Sequence, residues 1–307
     1  MENEKCIDKQ TKKVFSRIGF AVAATMLIVS VVQGILSVIL NLINPKIIAN
    51  GWGTYLMLGI SYYLIGMPCF YAMVKGLPDA PKKEVKKLSV GKVLMLFTIT
   101  YGVMIICNLF TTLLMALVSI IKGGEVVNPL LEVVTNSNLL LTMIFVGILS
   151  PIVEEFMFRR IMLDKLRPYG DKIAMVTSAI MFGLFHGNFS QFFYATAIGL
   201  VLAYVVIKTG SIKYSIILHI MVNMMGSVIG LAAMRNSIAT MIFGIAVWAI
   251  VIIGIVMFVK NRKKISLEPA EVVIEKGQVF KTTALNPGMI VYFIFMMVNM
   301  IIVLLMA

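Results

Sequence analysis

Apolar stretches of about 20 residues follow one another along almost the whole chain, and they limit its fold more than any other feature. A helix needs about 20 apolar residues to cross a hydrocarbon layer about 30 Å thick. Hydrophobic residues make up 60% of the 307 residues and charged residues 13%, which excludes an ordinary water-soluble globule. We therefore predict an all-α, polytopic membrane helix bundle of about 8–9 transmembrane helices. The spans lie at 18–43, 53–74, 93–121, 139–163, 172–187, 190–207, 212–233, 237–259 and 288–306.

The basic residues predict the orientation of the bundle. Cytoplasmic loops beside membrane helices carry an excess of Lys and Arg. If the N-terminus is cytosolic, all of the 27 basic residues except Lys46, Lys122 and Arg235 lie on the cytosolic side. We therefore predict a cytosolic N-terminus. The formal net charge of +13 then fits a rim that faces anionic lipid headgroups, and no nucleic acid partner is needed to explain it.

The remaining sequence gives little sign of a soluble domain. We divide the chain into an N-terminal cytosolic segment with two accessory helices (1–90), a transmembrane core (91–260), and a cytosolic linker with a C-terminal helix (261–307). The cysteines, Cys6, Cys69 and Cys107, are too scattered for a zinc knuckle or a thioredoxin motif, and we assign no disulfide.

Two adjacent carboxylates and an arginine interrupt the apolar fourth span. Ionisable groups at membrane depth are costly and mark functional sites. Residues four apart share a face of a helix, so Glu155 can pair with Arg159, whereas Glu154 points about 100° away. This spacing predicts that one carboxylate is neutralised and that the other is free to react.

The chain has only two histidines, His186 and His219, and both fall inside predicted spans. Phe182 lies four residues before His186, and Asn223 lies four residues after His219. The seventh span can therefore present an imidazole and a side-chain amide to one target. Together with Glu154, these residues provide a free carboxylate, two imidazoles and an amide donor.

This set suits the hydrolysis of a carbonyl compound. A carboxylate can act as general base on a water molecule that a histidine holds, and an imidazole and an amide can stabilise the oxyanion. The sequence has no Gly-x-Ser-x-Gly elbow, no Cys placed with a His, and no His-Glu-x-x-His helix. An activated water is therefore the nucleophile that these residues leave. It could act with or without a metal, since Glu154, His186 and His219 would suffice for a three-ligand zinc site.

The three motifs also resemble those of a known family. Glu154-Glu155-x-x-x-Arg159, Phe182-x-x-x-His186 and His219-x-x-x-Asn223 are similar in order and spacing to the motifs of the CPBP intramembrane proteases, also called Abi or type II CAAX prenyl proteases. The resemblance covers roughly residues 90–260. It implies that Glu154 and His186 activate water and that His219 and Asn223 form the oxyanion hole. Glu155, Arg159 and Phe182 would then support the site. The resemblance is compatible with both a metal-dependent and a metal-free mechanism.

The expected activity is that of an intramembrane (metallo)endopeptidase acting on a membrane-embedded or lipid-anchored protein or peptide, in the plasma membrane of a bacterium. One alternative is a non-catalytic bacteriocin-immunity or scaffold protein of the same fold. Another is a small-solute or proton-coupled transporter, since transporters also use membrane carboxylates and histidines. The inverted repeats and broken helices of transporters are not evident in the sequence.

Helical rise predicts the depth of the site. Glu154 and His186 both lie roughly 22–24 Å from the turn near 168–170, whereas His219 lies only about 9 Å from the start of its span. These heights agree if the hairpin of the fourth and fifth spans extends about 10–15 Å beyond the hydrocarbon. We therefore expect a site in the cytosolic half of the membrane. A strong tilt of the seventh span is the competing explanation.

Overall fold

The computed structural model describes residues 2–49, 51–124, 126, 131, 135 and 138–306. Within these residues the long elements are all helices and no strand occurs, as predicted. Eight of the helices are long and apolar enough to cross a membrane. We label the long helices α1 (Glu2–Ile43), α2 (Trp52–Val74), α3 (Val90–Lys122), α4 (Leu139–Tyr169), α5 (Asp171–Phe185), α6 (Phe189–Thr209), α7 (Ile212–Ala233), α8 (Ser237–Lys264) and α9 (Pro287–Met306).

Helix α5 differs from the span predicted at 172–187. It has 15 residues, so it is about 22 Å long and shorter than a hydrocarbon layer of about 30 Å. The chain turns at 186–188, where Asn188 is only 5% exposed, and α6 begins at once. Of the nine predicted spans, eight are long enough within the described part of the chain, and the fifth is a short helix that ends inside the bundle.

Helix α6 occupies the centre of the bundle. Ala195, Gly199 and Ala203, the small residues that recur every fourth position, are buried. A Cβ atom on Gly199 would lie 3.2 Å from both Ala179 Cα and Phe182 Cδ1, so α6 packs directly against α5. One buried apolar cluster joins α6 to α1, α2, α4, α5 and α9, and a second joins it to α3 and α7. This packing fixes α5 in place although α5 is short.

The tip of the α4–α5 hairpin lies among polar connections. Lys165 is 3% exposed, and its Nζ lies 2.8 Å from Asp79 Oδ1 in the α2–α3 connection. Asp171 Oδ2 accepts a hydrogen bond of 3.1 Å from the backbone N–H of Glu268 in the α8–α9 connection. We call this end of the bundle the basic end and the opposite one the far end. A hairpin tip that projects beyond the hydrocarbon would have such neighbours, but its depth, the orientation of the N-terminus and the three-part division of the chain stay predictions.

Helices α4 and α7 widen next to the motif residues. Their backbone hydrogen bonds change to the i→i+5 pattern over 143–149 and 156–162 in α4 and over 224–229 in α7. Glu154 and Glu155 therefore lie between two widened segments of α4, and Asn223 directly precedes the one in α7. Wide turns of this kind are frequent at functional sites.

Candidate active site

The predicted ion pair on α4 is present and fully buried. Arg159 Nε lies 3.4 Å from Glu155 Oε2, and both side chains are 0% exposed. The guanidinium carbon also lies 4.3 Å from the centroid of the Phe182 ring, and Arg159 Nη2 donates a 3.4 Å hydrogen bond to the Gly199 carbonyl. The Arg159 charge is thus distributed over a carboxylate, an aromatic face and a backbone carbonyl.

His219 lies between the two glutamates. Its Nδ1 is 3.0 Å from Glu155 Oε1. Because a carboxylate oxygen accepts, Nδ1 carries the proton. The other ring nitrogen, Nε2, faces Glu154 Oε2 at 3.8 Å. The i,i+4 spacing predicted a pair of Glu155 with Arg159 alone, whereas in the structure Glu155 also holds His219, whose Nε2 faces Glu154.

His186 caps the C-terminus of α5. Its Nδ1 lies 2.9 Å from the Phe182 carbonyl oxygen, so Nδ1 donates and Nε2 keeps a lone pair. The Phe182 ring packs edge-on against both imidazoles, with centroids 4.9 Å from His186 and 5.7 Å from His219. Phe182 therefore separates the two histidines at a fixed distance and also covers the Arg159 charge.

In the turn after His186, side-chain amides donate hydrogen bonds to the backbone carbonyls. Asn188 Nδ2 donates to the His186 carbonyl at 2.8 Å, and Asn299 Nδ2 of α9 donates to the Gly187 carbonyl at 3.1 Å. Irregular backbone at membrane depth requires such partners. Gly187 has φ of 66°, and a Cβ atom there would lie 2.5 Å from Asn299 Nδ2. A glycine is needed here because of both the backbone angle and the close approach of α9.

Asn223 contacts the widened part of α4. Its Nδ2 donates a 2.9 Å hydrogen bond to the Val146 carbonyl. The amide was predicted as an oxyanion donor together with His219. An amide nitrogen has two N–H groups, so one remains for a ligand after this bond is made.

The predicted catalytic residues all line the same cavity. Glu154, His186, His219 and Asn223 all line a cavity of about 1170 Å³. Gln191 and Tyr194 of α6 add polar groups to the lining, and side chains of α1, α2, α3, α7 and α8 supply most of the rest. The cavity continues from the site toward the far end, where the C-terminus of α7 and the N-terminus of α8 lie.

A comparison with known families identifies the segment that carries this site. The family model described as "Type II CAAX prenyl endopeptidase Rce1-like" matches residues 136–225. In this segment the chain is similar to the Rce1-like endopeptidases. The resemblance predicted from the motifs is thereby confirmed, and it supports a multi-pass membrane protease of the CAAX type. No curated protein and no solved structure matched the chain in the same comparisons.

The Rce1-like segment contains every motif residue but only part of the cavity wall. It covers α4 to α6 and the first part of α7. The lining residues from α1, α2, α3 and α8 lie outside it, and so does Asn299, which supports the His186 turn. The predicted catalytic residues therefore all lie in the matched segment, whereas much of the cavity wall and one hydrogen bond that supports the His186 turn come from the rest of the chain.

The candidate metal ligands do not fit a metal centre. Among the residues that the structure describes, no group of three or more His, Cys, Asp or Glu side chains is close enough to hold an ion. Glu154 and His219 face each other, but His186 does not join them as a third ligand. These three side chains therefore do not form the three-ligand zinc site considered from the sequence.

Several residues that shape the site were not predicted from the sequence. Asn188, Gln191, Tyr194 and Asn299 were not singled out, although each lines the cavity or supports the His186 turn. A signal was available for Asn299, which is the single asparagine in an otherwise apolar helix. A lone amide in a membrane helix needs a partner. The sequence could not show that this partner is the Gly187 carbonyl.

Proposed function

We propose that this protein is an intramembrane endopeptidase that hydrolyses a peptide bond of a membrane-embedded or lipid-anchored protein or peptide. The observation that carries the proposal is the convergence of Glu154, His186, His219 and Asn223 on one cavity. These side chains come from α4, α5 and α7, and all lie in the Rce1-like segment. The similarity to the family makes proteolysis the first activity to test.

Glu154 is the proposed general base. Its carboxylate lines the cavity, is not engaged by Arg159, and faces His219 rather than forming the buried ion pair. A water molecule between Glu154 and His186 would give its proton to Glu154 while its oxygen bonds to the scissile carbonyl carbon. When the tetrahedral intermediate collapses, the C–N bond breaks and the proton passes from Glu154 to the leaving nitrogen. The products are a carboxylate terminus and an amine terminus.

His186 is the proposed partner that holds the water. With Nδ1 donating to the Phe182 carbonyl, Nε2 can accept a hydrogen bond from the water and orient its lone pair toward the carbonyl carbon. The tautomer of His186 is thus fixed by the backbone of its own helix. The ring is also held by contact with Phe182.

His219 and Asn223 are the proposed contacts of the oxyanion, and Glu155 and Arg159 support them. The Glu155 carboxylate holds His219 Nδ1–H, so Nε2 can donate only when the ring is charged. Asn223 contributes the N–H that Val146 does not use. With a charged His219, the two glutamates are balanced by Arg159 and the imidazolium, which limits the cost of burying the cluster.

The substrate proposal follows from the shape and lining of the cavity. A space of about 1170 Å³ with mostly apolar walls suits a chain segment that is already in the membrane. We also propose that the exposed lysines at the basic end, including Lys82, Lys86 and Lys87, contact anionic lipid headgroups. A bacterial plasma membrane is the location consistent with both proposals.

The experiment compares protein termini in host membranes by mass spectrometry at matched expression. Glu154→Gln removes the base and keeps the side-chain size, so new termini should appear with the wild type and vanish with this variant. Glu84→Gln is the matched control because Glu84 is exposed in the α2–α3 connection and does not line the cavity. It should give the wild-type profile.

Three results would refute the proposal. Identical profiles for wild type, Glu154→Gln and a host without the protein, with all forms folded and abundant, would favour the immunity or scaffold alternative. New termini that persist in Glu154→Gln would show that another group activates the nucleophile. A solute flux that depends on Glu154, without any cleavage product, would favour the transporter alternative.

A further inference from the structure

The oxyanion donors expected from the motifs are partly engaged within the protein. His219 uses Nδ1–H to hold Glu155, and Asn223 uses one amide N–H to hold the Val146 carbonyl. The main-chain N–H groups of α5 and α7 near these residues are used within their helices. His219 can therefore donate from Nε2 only as an imidazolium. A further donor that faces the cavity would strengthen the stabilisation of a developing negative charge.

Tyr194 has a hydroxyl proton with no acceptor in the described part of the chain. Its oxygen accepts a 3.0 Å hydrogen bond from Gln191 Nε2. An amide nitrogen cannot accept in return, so the hydroxyl proton is left for another partner. Tyr194 lines the same cavity as Glu154, His186 and His219. The hydroxyl is thus a donor that none of the described residues accepts from.

A chain of hydrogen bonds orients the Gln191 amide that contacts this donor. Asn188 Oδ1 accepts from the Gln191 backbone N–H at 2.9 Å, and Asn188 Nδ2 donates to Gln191 Oε1 at 2.7 Å. Because Oε1 accepts, Nε2 of the same amide must be the group that faces Tyr194. Asn188 also donates to the His186 carbonyl. The network therefore connects the position of Tyr194 to the turn that carries His186.

We propose that the Tyr194 hydroxyl donates a hydrogen bond to the oxygen of the scissile carbonyl and to the oxyanion that forms from it, and that Gln191 positions it. This inference rests on the proposed function and adds Tyr194 to the residues that touch the substrate. Gln191 and Asn188 are positioning residues, because they act through Tyr194 and the His186 turn. No comparison or motif assigns a role to α6 in the chemistry.

The test is cleavage by the purified full-length protein in lipid vesicles, with a peptide that contains the bond found by terminus mapping. Tyr194→Phe removes only the hydroxyl and should lower kcat by about 10²-fold, the usual effect of losing one oxyanion donor. KM should change little, because the interaction is strongest in the transition state. Tyr204→Phe is the matched control. It lies on the same helix, does not line the cavity, and should cleave at the wild-type rate.

A double-mutant cycle tests the role of Gln191. Gln191→Met removes the group that positions the hydroxyl and should lower kcat, but by less than Tyr194→Phe. If Gln191 acts through Tyr194, the double variant should be little worse than Tyr194→Phe alone. Full additivity of the two losses would overturn the positioning role.

The outcomes separate this inference from the proposed function. If the wild type cleaves, Glu154→Gln does not, and Tyr194→Phe matches Tyr204→Phe, the role of Tyr194 is refuted while the protease survives. If the wild type does not cleave any substrate, the proposed function itself fails. Should Tyr194→Phe not fold, fluorotyrosine at position 194 keeps the side chain and changes the acidity of its hydroxyl. A kcat that is insensitive to fluorination would then overturn the inference.

Discussion

The two halves of the candidate site are held by different forces. The half on α4 and α7 is charged, since Glu155 contacts both Arg159 and His219 while His219 faces Glu154. The half at the α5–α6 turn is neutral, and His186 is held there by backbone carbonyls and amide side chains. Charge fixes one half within the Rce1-like segment. The other half depends on a neutral hydrogen bond from Asn299 of α9, which lies outside that segment.

The difference shows where each kind of interaction is strong. A buried charge without a partner is very costly, so the charged half must be complete or it fails. A neutral hydrogen bond contributes less, and its loss shifts a turn rather than breaking the fold. We therefore expect substitutions in the charged half to cause the larger loss in the free energy of unfolding. Substitutions in the neutral half should lower cleavage activity with a smaller loss of stability.

The largest effect is expected from Arg159→Met. This change leaves Glu155 buried without its cation and should lower the free energy of unfolding by about 3–5 kcal/mol. The measurement is equilibrium unfolding in mixed detergent micelles. Arg160→Met is the matched control, because Arg160 is the next residue, its side chain is 49% exposed, and its pair with Asp164 is of the surface type. That control should change stability by less than about 1 kcal/mol. Equal effects of the two variants would contradict a charge-dependent half.

A smaller loss of stability is expected from Asn299→Leu, together with a clear loss of cleavage. The change leaves the Gly187 carbonyl without its partner, which should cost about 1–3 kcal/mol. Since His186 precedes this turn, kcat should fall more than stability alone explains. Asn261→Leu is the control, because the Asn261 amide donates to the Met257 carbonyl of its own helix, away from the cavity. Wild-type kcat in Asn299→Leu would show that α9 does not position His186.

The smallest effect is expected from Tyr292→Phe. The Tyr292 hydroxyl donates a 2.7 Å hydrogen bond to the Met181 carbonyl of α5. Its loss should lower the free energy of unfolding by about 1 kcal/mol and alter cleavage only slightly, because the bond lies more than one turn before His186. Tyr71→Phe, at an exposed tyrosine of α2, should have no measurable effect. A loss of cleavage as large as that of Asn299→Leu would mean that the whole of α5, and not only its last turn, depends on α9.

The Glu155–Arg159 pair of the charged half was predictable, whereas its contact with His219 and the neutral half were not, for a physical reason. The i,i+4 spacing of Glu155 and Arg159 lies within one helix, so helical geometry alone predicts their pairing. The contact of His219 with Glu155 joins residues 64 positions apart, and the bond of Asn299 to Gly187 joins residues 112 apart. Local spacing carries no information on such pairs.

The fold shows the same division. The apolar runs predicted the helices because a run of about 20 apolar residues indicates a segment surrounded by lipid, whatever the rest of the chain does. The shortness of α5 was not predicted, because residues 172–187 are apolar whether they cross a membrane or turn back inside a bundle. The Gly187 carbonyl in this turn is satisfied by Asn299 of α9, and that support comes from tertiary packing.

The most direct test of the account is the rate of peptide-bond cleavage by purified protein in lipid vesicles, for wild type, Glu154→Gln and Glu84→Gln. If Glu154 activates the water, Glu84→Gln should cleave at the wild-type rate and Glu154→Gln should lose at least about 10²-fold in kcat, with all proteins equally folded. Cleavage by Glu154→Gln at the wild-type rate would contradict a water molecule activated by Glu154.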